Sequence, residues 1–200
     1  MKVIKIRLLN TFKEELIMTK GISIAGRKVN DGVDFYQTPR WAIEKLLEVE
    51  TFNGEILEPC SGNGAISKVL EDNGYNVLSQ DIRDDDDVYG DKGVDFFDYN
   101  GEVDNIVTNP PYFCAKEFVE HALEISNGKV AMLLKLSFLE GAKRYDFFQN
   151  TPLKTVHVFC KRVTMYPANT EKPKNSGTIA YAWFVWEKGY TGSPIIKWIM

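Results

Sequence analysis

Residues 54–70, G-E-I-L-E-P-C-S-G-N-G-A-I-S-K-V-L, constrain the fold more than any other stretch. Ile56 and Leu57 end a short apolar strand, Gly62 and Gly64 make a tight turn, and Ala65 to Leu70 open a helix. Strand, glycine turn and helix make the first unit of a nucleotide-binding α/β sheet. Glycine is needed where the backbone bends sharply and a ligand comes close. The same turn also serves as a purely structural corner, and G-x-G alone does not separate the two uses. The rest of the chain extends the pattern. Residues 75–81, Y-N-V-L-S-Q-D, predict a second strand ending in Asp81. Residues 129–136, K-V-A-M-L-L-K-L, form the near-continuous apolar run of a strand buried on both faces. A helix is expected over 114–126, with Phe118, Ala122, Leu123 and Ile125 toward the core. A short one is expected over 139–149, with Lys143 and Arg144 exposed, and strands over 154–160 and 178–186. Alternating strands and helices predict a doubly wound α/β sheet with ligands at the carboxyl ends of its strands.

One such end carries chemistry. Residues 103–112, V-D-N-I-V-T-N-P-P-Y, read as a buried strand that stops at a stiff polar corner. Ile106 and Val107 are β-branched, as a central strand prefers. Pro110 ends the ladder because it has no N–H, and two prolines in succession hold the backbone extended. The corner presents the amide of Asn109, the carbonyl of Pro110 and the ring of Tyr112. Two acceptors side by side can grip an –NH2 group through both hydrogens, and the ring can stack on the planar system that carries it. The bland alternative is a Pro-Pro turn with a half-buried tyrosine. Asp81 lies ~20 residues after the glycine turn, the spacing at which an acid takes two ribose hydroxyls.

Before the glycine unit, Thr38 is the expected N-cap and Pro39 the first residue of a helix whose apolar face is Trp41, Ile43, Leu46, Leu47 and Val49. Residues 1–33 are read as an N-terminal arm, and 34–200 as a single domain. Met18 is a second candidate start, because codons for Lys13-Glu14-Glu15 can spell a purine-rich ribosome-binding sequence just upstream. The run Asp84 to Asp87 is read as a solvated acidic loop, since consecutive carboxylates repel and cannot all face one ion. His121 and His157 are isolated and read as surface or packing residues; no metal site is expected. Cys60, Cys114 and Cys160 are widely spaced, as in a reduced cytoplasmic protein. The longest apolar runs are too short to span a bilayer, so no membrane partner is expected.

Net charge is −4 overall, but residues 1–125 carry −11 and residues 126–200 carry +7. A basic final third on an acidic chain suits a polyanion, or is merely a solvated surface. The polar loop 163–177, with Tyr166, Pro167, Asn169, Lys172, Pro173 and Lys174, has the composition to touch phosphates and bases.

The N-P-P-Y corner, the acid-Pro-x-x-G-x-G turn and the Y-x-T-P segment at 36–39 together resemble the amino-methyltransferases that use S-adenosylmethionine, in particular compact phage-type DNA adenine-N6 methyltransferases. The resemblance covers roughly residues 34–187. It implies a Rossmann-like methyltransferase fold, with a mostly parallel seven-stranded sheet and an antiparallel last strand. It implies that Asn109, Pro110, Pro111 and Tyr112 form the catalytic corner. Tyr36, Thr38 and Pro39 would lie against the methionine end of the cofactor. Glu58, Pro59, Gly62 and Gly64 would form its loop, where a carboxylate suits a cationic amino acid and would repel a diphosphate. Asp95 would accept from the cofactor's adenine amine and Phe96 would lie along that ring, with Asp98 competing; otherwise 93–98 is a short strand between turns. The implied reaction is methyl transfer to the N6 amine of adenine in DNA. An RNA base, protein glutamine and a non-catalytic cofactor-binding subunit are the alternatives. The expected partner is DNA, with RNA possible, and a monomer is compatible with all of these. The missing feature is a target-recognition domain like that of large restriction-type enzymes.

Overall fold

The apolar runs become the strands of one eight-stranded sheet, seen in a computed structural model that describes residues 36–167 and 177–200. The arm 1–33, the start at Met18, and Asn169, Lys172, Pro173 and Lys174 of the polar loop lie outside the described residues. In chain order the strands are β1 (Tyr36–Gln37), β2 (Ile56–Glu58), β3 (Val77–Asp81), β4 (Asp91–Lys92), β5 (Asn105–Thr108), β6 (Lys129–Lys135), β7 (Leu153–Phe159), β8 (Tyr166–Pro167), β9 (Tyr181–Glu187) and β10 (Ile195–Ile199). The helices are α1 (Arg40–Leu47), α2 (Ser67–Asp72), α3 (Ala115–Ile125) and α4 (Tyr145–Gln149).

The sheet runs β4-β3-β2-β5-β6-β9-β7-β10. Only β9 is antiparallel to its neighbours, β6 and β7. From β2 the chain builds outward to β3 and β4, then returns to place β5 on the other side. That reversal opens a crevice at the carboxyl ends of β2 and β5, where ligands of open α/β sheets bind. The described residues fall in one compact unit.

Two-residue periodicity explains how one sheet feeds two cores. On β6, Val130, Met132 and Leu134 face one cluster with Phe118, Val119 and Ala122 of α3. Ala131 and Leu133 face the other, with Ile43 and Leu46 of α1 and Leu70 of α2. On β9, Ala182, Phe184 and Trp186 join the first cluster, while Tyr181, Trp183 and Val185 join the second. The Trp183 indole N–H donates to the Ala42 carbonyl at 2.8 Å, so the large apolar ring is buried with its polar atom satisfied.

Several elements differ from the sequence reading. The sheet has eight strands in place of seven. β10 pairs parallel to β7, so the antiparallel strand is the penultimate one. Thr38 does not cap α1: Pro39 sits at the N-cap without a side-chain cap, and its carbonyl accepts from the Ala42 N–H at 2.9 Å. Val49 is exposed beyond the end of α1. Helix α2 begins at Ser67, because Ala65 and Ile66 still belong to the turn. Residues 93–98 hold no strand: Asp95 accepts from the Phe97 N–H and caps a 3-10 turn, Phe96–Asp98. Arg144 is half-buried, with its guanidinium donating to the carbonyls of Phe138, Ser137 and Glu140. Tyr166 and Pro167 form β8, which pairs antiparallel with β1.

Candidate active site

The glycine turn is held open by contacts with the next strand. Gly62 and Gly64 have φ of 53° and 79°, the left-handed region where side chains are strained. A Cβ on Gly64 would come within 2.7 Å of the Tyr89 ring. The Ser61 N–H donates to the Gln80 carbonyl at 3.0 Å, and the Gly62 N–H donates to Asp81 Oδ2 at 2.8 Å. Asp81 therefore sits at the end of β3 as the spacing requires, nearly buried. Its other oxygen accepts from the Arg83 N–H at 2.9 Å. Oδ1 also lies 3.6 Å from the Arg83 guanidinium, and the carboxylate organises the loop.

Glu58 closes β2 at the foot of this turn and is fully buried. The Thr108 hydroxyl donates to Oε1 at 3.1 Å, while Oε2 has no hydrogen-bond partner. Burial pushes the carboxyl well above the usual range; the Thr108 hydroxyl and the nearby Ser67 hydroxyl and N–H oppose the shift, and the charge of Asp81 adds to it. Pro59 leads from Glu58 into the turn. A buried acid with an unpartnered oxygen is costly unless a further group satisfies it.

Across the crevice, Asn109 follows β5. Its Nδ2 donates to the Thr38 hydroxyl at 3.2 Å and to the Tyr36 carbonyl at 3.4 Å. A carbonyl only accepts, so the Tyr36 contact identifies the nitrogen edge of the amide. Its Oδ1 accepts from the Tyr112 hydroxyl at 2.8 Å. The Y-x-T-P segment thus reaches Asn109 itself, and Thr38, 3% exposed, is spent there and not on a cap. Pro110 is buried; the Pro111 carbonyl turns back to accept from the Cys114 N–H at 3.4 Å. The Tyr112 ring lies 5.7 Å from Tyr181, and the Lys135 ammonium is 4.8 Å from its centroid.

The remaining candidates are placed differently. Phe96 is 2% exposed and stacks on Phe118 at 4.8 Å with His121 against its edge, so its ring is a core element. Phe97 beside it is half-buried and Asp98 is exposed. Asp95 is committed through Oδ1 to the Phe97 N–H. Asp84 to Asp87 stay exposed, and no metal-binding cluster occurs among the described residues. Cys114 is buried, which pushes its thiol up to about 12. The Thr38–Asn109 contact escaped sequence reasoning, because a Thr-Pro pair before a helix is the ordinary signal of a cap. No helix of the described residues is long and apolar enough to cross a membrane.

No family model and no curated protein matches this sequence. The fold does have relatives among solved structures. A Pyrococcus horikoshii protein, provisionally described as an RNA methyltransferase, superposes with a TM-score of 0.62 over 88% of this chain and 95% of its own, at 16% identity. The modification subunit of a provisionally assigned type I restriction enzyme from Vibrio vulnificus YJ016 gives 0.55 over 94% of this chain at 15% identity. This chain spans 49% of that subunit. Magnesium protoporphyrin IX methyltransferase from Synechocystis PCC 6803, solved with bound S-adenosylmethionine, gives 0.52 over 75% of this chain and 79% of its own, at 9% identity. The shared property is the Rossmann-like fold of methyltransferases.

Proposed function

We propose that this chain transfers a methyl group from S-adenosylmethionine to the N6 amine of adenine in DNA. The observation that carries this reading is the Asn109 amide. Its nitrogen edge is held by Tyr36 and Thr38, so its oxygen is presented at the carboxyl end of β5, one residue beyond Thr108, whose hydroxyl bonds Glu58.

The residues present suit the cofactor that the fold implies. Glu58 would face its cationic amino-acid end, the Gly62–Gly64 turn would admit its close approach, and Asp81 Oδ2, which among the described residues accepts only from Gly62, would take a ribose hydroxyl. The cofactor, when bound, supplies a methyl group activated on a sulfonium. Everything else is positioning by the protein. An adenine amine is a poor nucleophile because its lone pair is delocalised into the ring. Hydrogen bonds from its two hydrogens to Asn109 Oδ1 and the Pro110 carbonyl favour a tetrahedral nitrogen and stabilise the positive charge that develops there. The Tyr112 hydroxyl occupies one lone pair of Oδ1, leaving the second for the amine. In duplex DNA the base has to leave the stack, and Tyr112 replaces the lost stacking.

An RNA base is the second reading, supported by the likeness to the P. horikoshii protein over nearly the whole of both chains. Labelled S-adenosylmethionine with duplex DNA, single-stranded DNA or RNA, followed by mass spectrometry of nucleosides, separates the two. The first reading expects N6-methyldeoxyadenosine, reduced about 10²–10³-fold in Asn109→Ala with cofactor binding nearly intact. Equal loss of turnover and cofactor binding would make Asn109 structural. Transfer to RNA alone changes the substrate, and no transfer with cofactor bound redirects the reading to a protein acceptor.

A further inference from the structure

Next to the Asn109 corner lies a cavity of about 120 Å³ whose walls include Tyr112, Lys135, Ser137, Phe138 and Arg144, with no acidic residue among its described lining. Lys135 ends β6 and is half-buried, and it makes no hydrogen bond or ion pair with a described residue. Its ammonium lies over the Tyr112 ring at 4.8 Å from the centroid. Lys116 on the adjacent helix α3, by contrast, is paired with Glu120 at 2.7 Å. Arg144 is fixed by the carbonyls it holds and lies 5.0 Å over the Phe138 ring, so its charge is kept in place at the cavity wall.

Among the described residues, two cations face one concave space without a counter-ion, beside the ring on which a base would stack. We propose that Lys135, backed by Arg144, binds a phosphate of the nucleotide whose base is seated against Tyr112. This rests on the nucleic-acid reading of the site and makes it more specific, because a glutamine side chain brings no phosphate. A lysine held only by a ring face is weakly held compared with one hydrogen-bonded to a phosphate oxygen. The arriving phosphate therefore draws the ammonium off the Tyr112 ring. Lys135 is a binding residue, and the phosphate undergoes no chemistry.

The test uses the full chain and an oligonucleotide with one target adenine, in which the phosphate on its 5′ or 3′ side is replaced by an uncharged methylphosphonate. In the wild type, one of the two replacements lowers kcat/KM by about tenfold or more. Lys135→Met, which keeps the apolar stem, loses a similar factor on the unmodified oligonucleotide and little more on the modified one, whereas Lys135→Arg retains most activity. An undiminished methylphosphonate penalty in Lys135→Met, or none in the wild type, overturns the proposal. A second arm needs no methyl transfer: calorimetry with deoxyadenosine and with its 5′- and 3′-monophosphates. The wild type binds one of the monophosphates more tightly, and Lys135→Met does not distinguish it from the nucleoside. If no nucleic acid is methylated but that preference holds, the acceptor reading falls and the phosphate site stands. If DNA is methylated and the wild type shows no preference, the phosphate site alone falls.

Discussion

Two glutamates, both nearly or fully buried, stand at opposite ends of the sheet. Glu50 lies toward the amino ends of β2 and β6. Its Oε1 meets His157 Nε2 at 2.9 Å and its Oε2 meets the Lys129 ammonium at 2.7 Å. Lys129 also donates to the Thr51 carbonyl, and nearby Glu187 pairs with Lys154. Burial alone would raise the Glu50 carboxyl, but His157 and Lys129 outweigh it and hold it at about 2. At the carboxyl end of β2, Glu58 is surrounded by hydroxyls and another acid, and its carboxyl is pushed the opposite way. The first acid is paired with cations of the chain itself, and the second is not. Residue type does not separate the two environments; the partners within the fold do.

The largest effect that would sharpen this contrast is on Glu50. Glu50→Gln removes one member of a buried ionic cluster and leaves its partners unmatched, an expected loss of about 2–4 kcal/mol. For a chain of this size that lowers the melting temperature by roughly 5–10 °C, with cofactor affinity unchanged. Because the folded carboxyl is held below its ordinary 4.5, its stabilisation is present above that pH and is lost as pH falls from 4.5 through about 2. Acid titration of unfolding should show that window in the wild type and not in Glu50→Gln.

Glu58→Gln should invert the pattern. A carboxyl raised in the folded state stabilises fully below its unfolded pKa, and that contribution disappears as pH rises through the folded value. The amide removes this loss, so the variant without cofactor melts at the wild-type temperature or above it at neutral pH. Its affinity for S-adenosylmethionine drops about 10–100-fold. Calorimetry in buffers of different ionisation enthalpy should also show cofactor binding releasing protons from the wild type and not from Glu58→Gln. A Glu58→Gln chain as destabilised as Glu50→Gln would break the comparison.

The smallest effect concerns the orientation of Asn109. Thr38→Val keeps the shape and removes an acceptor from the amide's nitrogen edge. Single-turnover methyl transfer should slow about tenfold, with cofactor affinity less affected, and Thr38→Ser should restore it.

Local chemistry was legible in the sequence where it was contiguous. The strand–glycine–helix unit at 54–72, Asp81 at the end of β3, the Asn109 corner after β5 and the buried run of β6 all lie where their residues predict. What escaped was set by contacts distant in sequence. His157 reads as an isolated packing residue until the fold brings Glu50 to it across 107 positions. Thr38 reads as a cap until Asn109, 71 positions on, claims its hydroxyl. The two-residue pairing of β1 with β8 is too short to leave a pattern. β10 hides for another reason: Ile195, Ile196 and Trp198 are exposed, so the strand lacks the alternation that burial imposes. Phe96 goes deeper into the core than Phe97, and a Phe-Phe pair does not show which ring does so.

The position of β9 has a consequence for how the chain is made. It lies between β6 and β7, yet it is synthesised after both. A nascent chain that has emerged only as far as β7 holds two apolar strands whose native neighbour does not yet exist. β5 pairs one edge of β6, but the other edge of β6 and both edges of β7 stay open until β9 and β10 follow. Folding of that half of the sheet therefore begins in earnest only when Tyr181–Glu187 leaves the ribosome, and in the interval the exposed strands are candidates for chaperone capture.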